Sequence, residues 1–341
     1  MTQDATAVDP AGLGAWMRSQ GVDVAGDVRL RRIGLGQSNL TYEVTDEAKG
    51  RWVARRPPLG ELLASAHDVA REHRIMSALH DTDVPTAGVI GLAEDASVSS
   101  APVLVVEFVD GMVIDRMEVA EAMSTAQRQN IGRELARALA ALHAVDVDAV
   151  GLSELASHAP YAPRQLKRWS RQWEGSRTRE LPDLDRLTRW LEQHVPEQRE
   201  LTIVHGDLHI RNVIADPDTA DVRAVVDWEL CTLGDPLADL GTTLAYWPEA
   251  TDTSLGLFEA SRLPDFTTRA QIAEEYVARS GRDLADLRFW EVLGMWKIAI
   301  IVEGVRRRAL DEPANAAEGG PPPASLVDAL VTEALDRTTR H

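Results

Sequence analysis

Polar and apolar positions alternate in short runs along the front of the chain, the period of two that marks strands with one buried face. Asp27–Ile33 has extended character, Leu40-Thr41-Tyr42-Glu43-Val44-Thr45 is strand-like, and Arg51–Arg56 resumes an extended run that Pro57-Pro58 stops. Between these runs lie a glycine-containing turn, Gly34-Leu35-Gly36-Gln37-Ser38, and the turn chemistry of Asp46–Gly50. Pro102–Val109 reads as a buried strand. Two segments change period: residues 11–25 predict a short amphipathic helix, and Val69–His80 sets Val69, Ile75, Met76 and Leu79 on one helical face. Residues 1–110 therefore predict a small sheet carrying a helix, an α+β pattern.

After Gly111 the period lengthens to that of helices. Ser124–Ala144 opens on an N-cap residue and continues amphipathic; further helices are predicted near Pro163–Glu174 and Pro182–His194. A short extended run, Leu201–Val204, precedes a polar loop. Val213–Ala215 and Val222–Val226 read as a hairpin turned by Asp216-Pro217-Asp218. Helices resume near Leu237, at Thr267–Ser280 and at Leu284–Leu310. Asn315–Ala324, with its Gly-Gly-Pro-Pro-Pro, predicts a loop before a last short helix. Residues 111–341 thus predict a larger, mainly helical second domain.

Composition narrows the class without naming a function. A hydrophobic share of 44% and a charged share of 26% are those of an ordinary globular protein. No apolar run reaches the ~18 residues a membrane helix needs, and the first residues lack the basic and apolar regions of a secretory signal. The single cysteine, Cys231, has no disulfide partner in the chain and reads as a small buried residue. Together these features predict a cytoplasmic protein. The formal net charge of −18 argues against a nucleic-acid or anionic-membrane surface and fits a solvated acidic exterior. Basic residues are nearly all arginine; Lys49, Lys167 and Lys297 are the only lysines.

One segment is informative about chemistry: His205-Gly206-Asp207-Leu208-His209-Ile210-Arg211-Asn212, followed fifteen residues later by Asp227-Trp228-Glu229. Phosphoryl transfer needs a carboxylate near the attacking hydroxyl, cations bridging the phosphates, and ligands for those cations. An Asp and an Asn five residues apart on one loop can face a common site, and a second Asp ending a returning hairpin can reach the same metals. Protein kinases use this spacing in H-R-D-x-x-x-x-N and D-F-G; here Gly206 replaces the Arg. Only seven residues separate Asp227 from Asp235 and no A-P-E follows, leaving little room for an activation segment.

The H-G-D loop, the D-W-E after it and Gly234-Asp235-Pro236-Leu237-Ala238-Asp239-Leu240 resemble the aminoglycoside phosphotransferase and choline kinase family. The Gly36-Gln37-Ser38-Asn39 stretch and Tyr161-Ala162-Pro163-Arg164-Gln165-Leu166-Lys167-Arg168-Trp169 resemble the branch that is fused to, or sits beside, acyl-CoA dehydrogenases. The resemblance spans most of residues 25–310. It implies a two-lobed protein-kinase-like fold, with a small antiparallel N-terminal sheet carrying one helix and a larger helical C-terminal lobe. It also implies an ATP- and Mg²⁺-dependent kinase acting on a small-molecule hydroxyl, either a hydroxyacyl metabolite or an aminoglycoside-like acceptor. A pseudokinase that only binds nucleotide is the alternative, and retention of Asp207, Asn212 and Asp227 argues against it.

Carried over by residue, Asp207 becomes the catalytic base, Asn212 and Asp227 the Mg²⁺ ligands, and His205 and Asp239 supports of the loop. Gly34, Gly36, Ser38 and Asn39 would approach the ATP phosphates. Val53 and Arg55 share one strand face, with Arg56 on the other, so Arg55 stands where protein kinases place a lysine and Glu72 is its natural partner. Glu107 to Val109 would meet the adenine edge at a hinge. Trp228, Glu229, Tyr161, Arg164 and Trp169 are the expected acceptor contacts, and helix packing is the competing role for Trp169. A functional link to an acyl-CoA dehydrogenase is implied as well.

Overall fold

The period-two runs fold into a five-stranded antiparallel sheet because each has one face to bury and a neighbour against which to bury it. The structure is a computed structural model that describes residues 7–33, 39–57, 68–252, 258–311 and 320–339. Its contacts divide the chain into one unit formed by Met1–Gly111 with Arg223–Leu230, and a second formed by Met112–Val222 with Cys231–His341. The fold class is α+β, with a small antiparallel N-terminal sheet and a mainly helical C-terminal region.

In the first unit, α1 (Pro10–Ser19) is capped by Asp9, whose carboxylate accepts the Gly12 amide at 2.6 Å. The predicted helix over 11–25 ends at Ser19, just before Gly21, which has φ +84°. Strands β1 (Arg29–Ile33), β2 (Leu40–Thr45), β3 (Arg51–Arg56), β4 (Val89–Ala93) and β5 (Val103–Glu107) stand in the order β1-β2-β3-β5-β4. Leu13 and Met17 of α1 pack with Val44, Ala54, Val103 and Val105 on one sheet face. The other face receives α2 (Val69–Leu79), capped by Asp68 and buried along Val69, Glu72, Ile75, Met76 and Leu79. Trp52, Ala54 and Arg56 are the buried face of β3, which leaves Arg55 on the face toward α2. Strand β4 was not visible as a periodic run. Its Val-Ile-Gly-Leu-Ala is half-buried on both faces and its pairing shifts register at Gly91.

The second unit is built on two buried helices. After α3 (Met117–Ala122), α4 (Thr125–Ala144) opens with a capping box: Ser124 Oγ accepts the Gln127 amide while Gln127 Oε1 accepts the Ser124 amide at 2.7 Å. Helices α5 (Tyr161–Ser176) and α6 (Pro182–Gln193) follow, then strands β6 (Thr202–Val204) and β7 (Val213–Ala215). Strand β8 (Val222–Val225) belongs, from Arg223 on, to the first unit; the second resumes with β9 (Thr232–Gly234), α7 (Pro236–Ala245), α8 (Arg269–Ser280), α9 (Leu287–Asp311) and α10 (Ala324–Thr339). The last helix runs for 16 residues, longer than the short one expected. Every residue of α7 is buried, and α9 packs against α5, α6, α7 and α10. Among the described residues no helix is long and apolar enough to cross a membrane.

Two features of this unit position the chemistry. Strand β6 pairs antiparallel with β9, Thr202 opposite Gly234 and Val204 opposite Thr232. The chain leaving β6 at His205 therefore starts beside the residue that opens β9, while the chain entering α7 departs from the other end of the pair, beside Thr202. Helices α7 and α9 cross closely at glycines: a Cβ on Gly241 would stand 2.5 Å from the Trp290 carbonyl carbon, and one on Gly294 would stand 3.2 Å from the Gly241 oxygen. Substitution Gly241→Ala should therefore destabilise the protein by about 1–3 kcal/mol through overpacking, although alanine is the better helix former. A denaturant midpoint that does not move, with an unchanged slope, would contradict this crossing.

Candidate active site

In the second unit the site is assembled by the main chain of the His205–Asn212 loop. Two successive amides leave β6 with no strand partner, and both are taken by one buried carboxylate. Asp239, in the first turn of α7 and only 1% exposed, accepts the His205 amide on Oδ2 at 2.5 Å and the Gly206 amide on Oδ1 at 2.6 Å. His143 adds Nε2 at 3.3 Å and is itself held by the Tyr276 hydroxyl at 2.8 Å. Burial pushes the Asp239 carboxyl up, but His143 and the loop main chain outweigh it and hold the group below its ordinary 3.8. Burial keeps His143 below the usual imidazole range, so the pair is a carboxylate beside a neutral ring. Gly206 adopts φ +81°, a left-handed conformation that glycine takes without strain.

Asp207 emerges directly from this clamp. Its amide donates to His205 Nδ1 at 3.3 Å, and its carbonyl accepts Asn212 Nδ2 at 2.9 Å. The Tyr246 hydroxyl bonds the Asp207 carboxylate, and His209 Nε2 lies 3.7 Å from Asp207 Oδ2. His209 Nδ1 accepts the Arg211 amide, which leaves the proton on Nε2, facing Asp207. Burial pulls His209 down to about 3, so the ring is neutral. Tyr246 and Phe258 close on it edge to face, with centroids 4.7 and 4.9 Å away. Thr243 Oγ1 donates to the Leu208 carbonyl at 2.8 Å, tying the loop to α7 a second time.

The first unit supplies a second charged set. Arg55 Nη1 bonds Glu72 Oε1 at 2.7 Å and Nη2 lies 3.5 Å from Asp227 Oδ1. Burial works against the Arg55 charge, but Glu72, Asp227 and Glu229 raise its pKa further, so it stays a cation. Burial pushes the Glu72 carboxyl up, with Arg55 pulling the other way. Asp227 has φ +69°, uncommon for a residue with a side chain, and keeps 38% of that side chain exposed. Trp228, expected at the acceptor, is instead fully buried, its indole donating to the Val225 carbonyl. Arg56 is spent on the carbonyls of Pro57 and Ala7 and on Ser99 Oγ. Asn39 is buried, and its Oδ1 has no hydrogen-bond partner among the described residues. Gly34, Gly36 and Ser38 lie outside the described residues. Glu107 is exposed and its amide bonds the Gly88 carbonyl; Val109 is half-buried.

Three expected acceptor contacts have other partners. Arg164 donates to the Ala159 and Leu233 carbonyls, bracing α5 against β9. Tyr161 is buried against Trp290 with ring centroids 6.1 Å apart, under Gly234. Trp169 bonds Gln165 within its own helix and meets the loop only through Lys297, whose Nζ is 5.5 Å from its ring centroid. Lys297 itself was given no role by the sequence reading. Its ammonium is buried on α9 and donates to the Gly206 carbonyl. The available signal was a lysine inside Gly-Met-Trp-Lys-Ile-Ala-Ile-Ile in a chain with three lysines. Tyr246 and His143, which also reach this cluster from their helices, carried no signal.

Residues 29–290 match the model of a phosphotransferase enzyme family. The chain is 34% identical over 304 residues to acyl-CoA dehydrogenase family member 10 of Mus musculus, covering 87% of this chain but only 28% of that protein. A crystal structure from Ralstonia eutropha, assigned as an aminoglycoside phosphotransferase, superposes with a TM-score of 0.79 at 33% identity, covering 96% of this chain and 99% of that one. Choline kinase of Cryptosporidium parvum superposes at 0.61 with 13% identity over 91% of this chain and 89% of its own, a likeness of fold alone.

The clamp makes a pH-dependent prediction. Asp239→Asn should cost about 3 kcal/mol or more at neutral pH, because two buried amides lose a charged acceptor and one then faces an NH₂ group. A depressed folded pKa contributes stability that is present above the unfolded value and is lost as pH falls through the folded one. The gap between the two proteins should therefore narrow as pH drops below 3.8. Urea unfolding followed from neutral to acid pH measures it, and a gap independent of pH would exclude an ionised clamp.

Proposed function

We propose that this chain, which belongs to the phosphotransferase enzyme family, transfers the γ-phosphoryl group of Mg-ATP to a hydroxyl of a small molecule. The observation that carries the proposal is the anchoring of Asp207: a carboxylate delivered by a loop whose His205, Gly206 and Asp207 amides and Asp207 carbonyl are held by named partners. Such preorganisation is what phosphoryl transfer asks of a protein, since the covalent work is small and the positional work large. Asp207 accepts the proton of the attacking hydroxyl. The Tyr246 hydroxyl keeps its carboxylate oriented, and the neutral His209 nearby does not compete for that proton.

Each of the two expected ligands, taken by itself, is of the oxygen type that a hard divalent cation takes. With its amide nitrogen committed to the Asp207 carbonyl, Asn212 offers Oδ1, and Asp227 offers a partly exposed carboxylate. Mg²⁺ is usually held by one or two protein oxygens plus phosphates and water. Its site does not need three clustered ligands, and among the described residues no such cluster of His, Cys, Asp or Glu exists. When bound, Mg²⁺ would neutralise charge on the phosphate oxygens. Arg55, buried and fixed by Glu72, would direct its remaining guanidinium edge at the nucleotide phosphates; its Nε has no partner among the described residues. Glu107–Val109 would meet the adenine, and Gly34, Gly36, Ser38 and Asn39 the phosphates.

For the acceptor we favour a hydroxyacyl metabolite, because the mouse relative carries an acyl-CoA dehydrogenase name and extends well beyond the stretch matched here. An aminoglycoside-like acceptor is the other class to test. Mg²⁺-dependent nucleotide consumption across hydroxyacyl-CoAs, aminoglycosides, choline-like amines and sugars separates them. A hit that survives in the Asp207→Ala protein would remove Asp207 from the mechanism.

Asp207→Ala should lower kcat by about 10²–10⁴-fold while leaving Mg-ATP affinity nearly unchanged, because the base acts in the transfer step. Asp227→Ala should instead weaken Mg-ATP binding by about tenfold or more and leave metal-free ATP binding alone. Calorimetry with and without Mg²⁺ distinguishes the two, and equal losses in both titrations would contradict the metal role.

A further inference from the structure

We propose that Lys297 is a positioning residue for phosphoryl transfer, its ammonium locking the peptide bond that carries Asp207. The proposal rests on Asp207 being the catalytic carboxylate.

Lys297 lies mid-way along α9, 7% exposed, in a run otherwise apolar. Burying an ammonium is expensive unless its charge and its donors are satisfied. The cheapest structural solution would be a carboxylate in direct contact or a methionine in place of the lysine. Neither is present. The hydrogen bond that Lys297 makes goes to a main-chain oxygen, that of Gly206.

That oxygen and the Asp207 amide belong to one peptide unit. Its carbonyl end is held by Lys297 and its N–H end by His205 Nδ1. The preceding peptide is held through the Gly206 amide by Asp239, and the following one through the Asp207 carbonyl by Asn212. Gly206, at φ +81°, is the residue about which this peptide is freest to rotate, and rotation there would swing the Asp207 side chain. Lys297, bonded to the Gly206 carbonyl, opposes that rotation while Asp239 holds the Gly206 amide.

The stem of Lys297 is held as well. Trp169 presents its ring 5.5 Å from Nζ, and Tyr161, Thr242, Trp290 and Leu293 line the small space around the chain. Asp207 and Asp239 favour the charge, while burial and Arg168 oppose it. Trp169 and Tyr161 thereby acquire a role one step removed from the acceptor: they hold the residue that holds the loop.

The test compares Lys297→Met and Lys297→Arg in the full chain with wild type and Asp207→Ala. Lys297→Met keeps the volume and removes the donor. It should lower kcat by about 10–100-fold, the usual effect of losing a partner that orients a reacting group, with KM for Mg-ATP within twofold. Amide hydrogen exchange over residues 205–212 should accelerate while the rest of α9 keeps its protection. Lys297→Arg, which restores a cationic donor, should recover most of the rate. A Lys297→Met protein with normal kcat, or with unchanged exchange at 205–212, overturns the proposal. So does a Lys297→Arg protein as slow as Asp207→Ala, which also decides the matter if the methionine variant does not fold. If wild type transfers phosphate to no acceptor, the kinase reading fails on its own, and the exchange comparison still settles whether Lys297 clamps the loop.

Discussion

A single buried carboxylate sets the geometry on which the second unit's chemistry depends. Strand β6 ends at Val204, opposite the first residue of β9, so the His205 and Gly206 amides beyond it have no strand partner and would face the interior unpaired. Leaving a buried N–H unsatisfied costs about 1–3 kcal/mol each. Asp239 meets both, one oxygen per amide, from the first turn of a helix whose N-terminal dipole favours a negative charge. Its position is fixed in turn by the burial of the whole of α7 against α9, which the glycine contacts at Gly241 and Gly294 permit. Replace either glycine with a larger residue and the helix that carries the carboxylate has to move.

The two buried cations divide along the chemistry of their side chains. Arg55 must face Glu72 and Asp227 together, and a planar fork with several N–H groups does this where a point charge could not. Lys297 has a single carbonyl to meet from a small, closely lined space, a task for a slim stem with a compact head. The arginine bias of the chain is therefore informative at Lys297, the buried one of its three lysines. A lysine in the core of α9 points to a need for a buried cationic donor at the Gly206 carbonyl.

Much of the fold was legible because it follows from local periodicity. The capping box at Ser124 and Gln127, the alternation that sets Arg55 opposite Ala54 and Arg56, and the apolar length of α9 are all written in neighbouring residues. Strand β4 was not, because Gly91 interrupts its alternation and pairing across the sheet supplies what the run lacks. The Asp207–Asn212 spacing marked the loop, but not what holds it. Lys297 reaches a carbonyl 91 residues earlier, and His143, Tyr246 and Tyr276 converge on the same cluster from separate helices. Such convergence has no period to read. Tyr161, Arg164 and Trp169 show the reverse difficulty: a conspicuous polar and aromatic stretch looked like a ligand surface, yet its hydrogen bonds serve α5 and its neighbours.

The conformational costs fall in the same places as the charges. Asp227 occupies the left-handed region despite having a side chain, and backbone strain of this kind costs about 1–3 kcal/mol where the surroundings enforce it. Lys297, Asp239 and Glu72 are charged groups in nearly dry surroundings, each retained where an apolar residue of similar volume would pack at lower cost. Stability alone would remove them. What they provide is rigidity at atoms that a reaction has to find already in place: the Asp207 peptide, the Asp227 carboxylate and the Arg55 guanidinium. A binding module could tolerate looseness at all three, because a ligand can order them as it arrives. A catalyst that must stabilise a short-lived charge distribution cannot wait for that ordering, and the free energy it gives up in folding is recovered as a lower barrier. The concentration of strained and buried charged groups on these residues is therefore a physical argument for turnover over passive nucleotide binding.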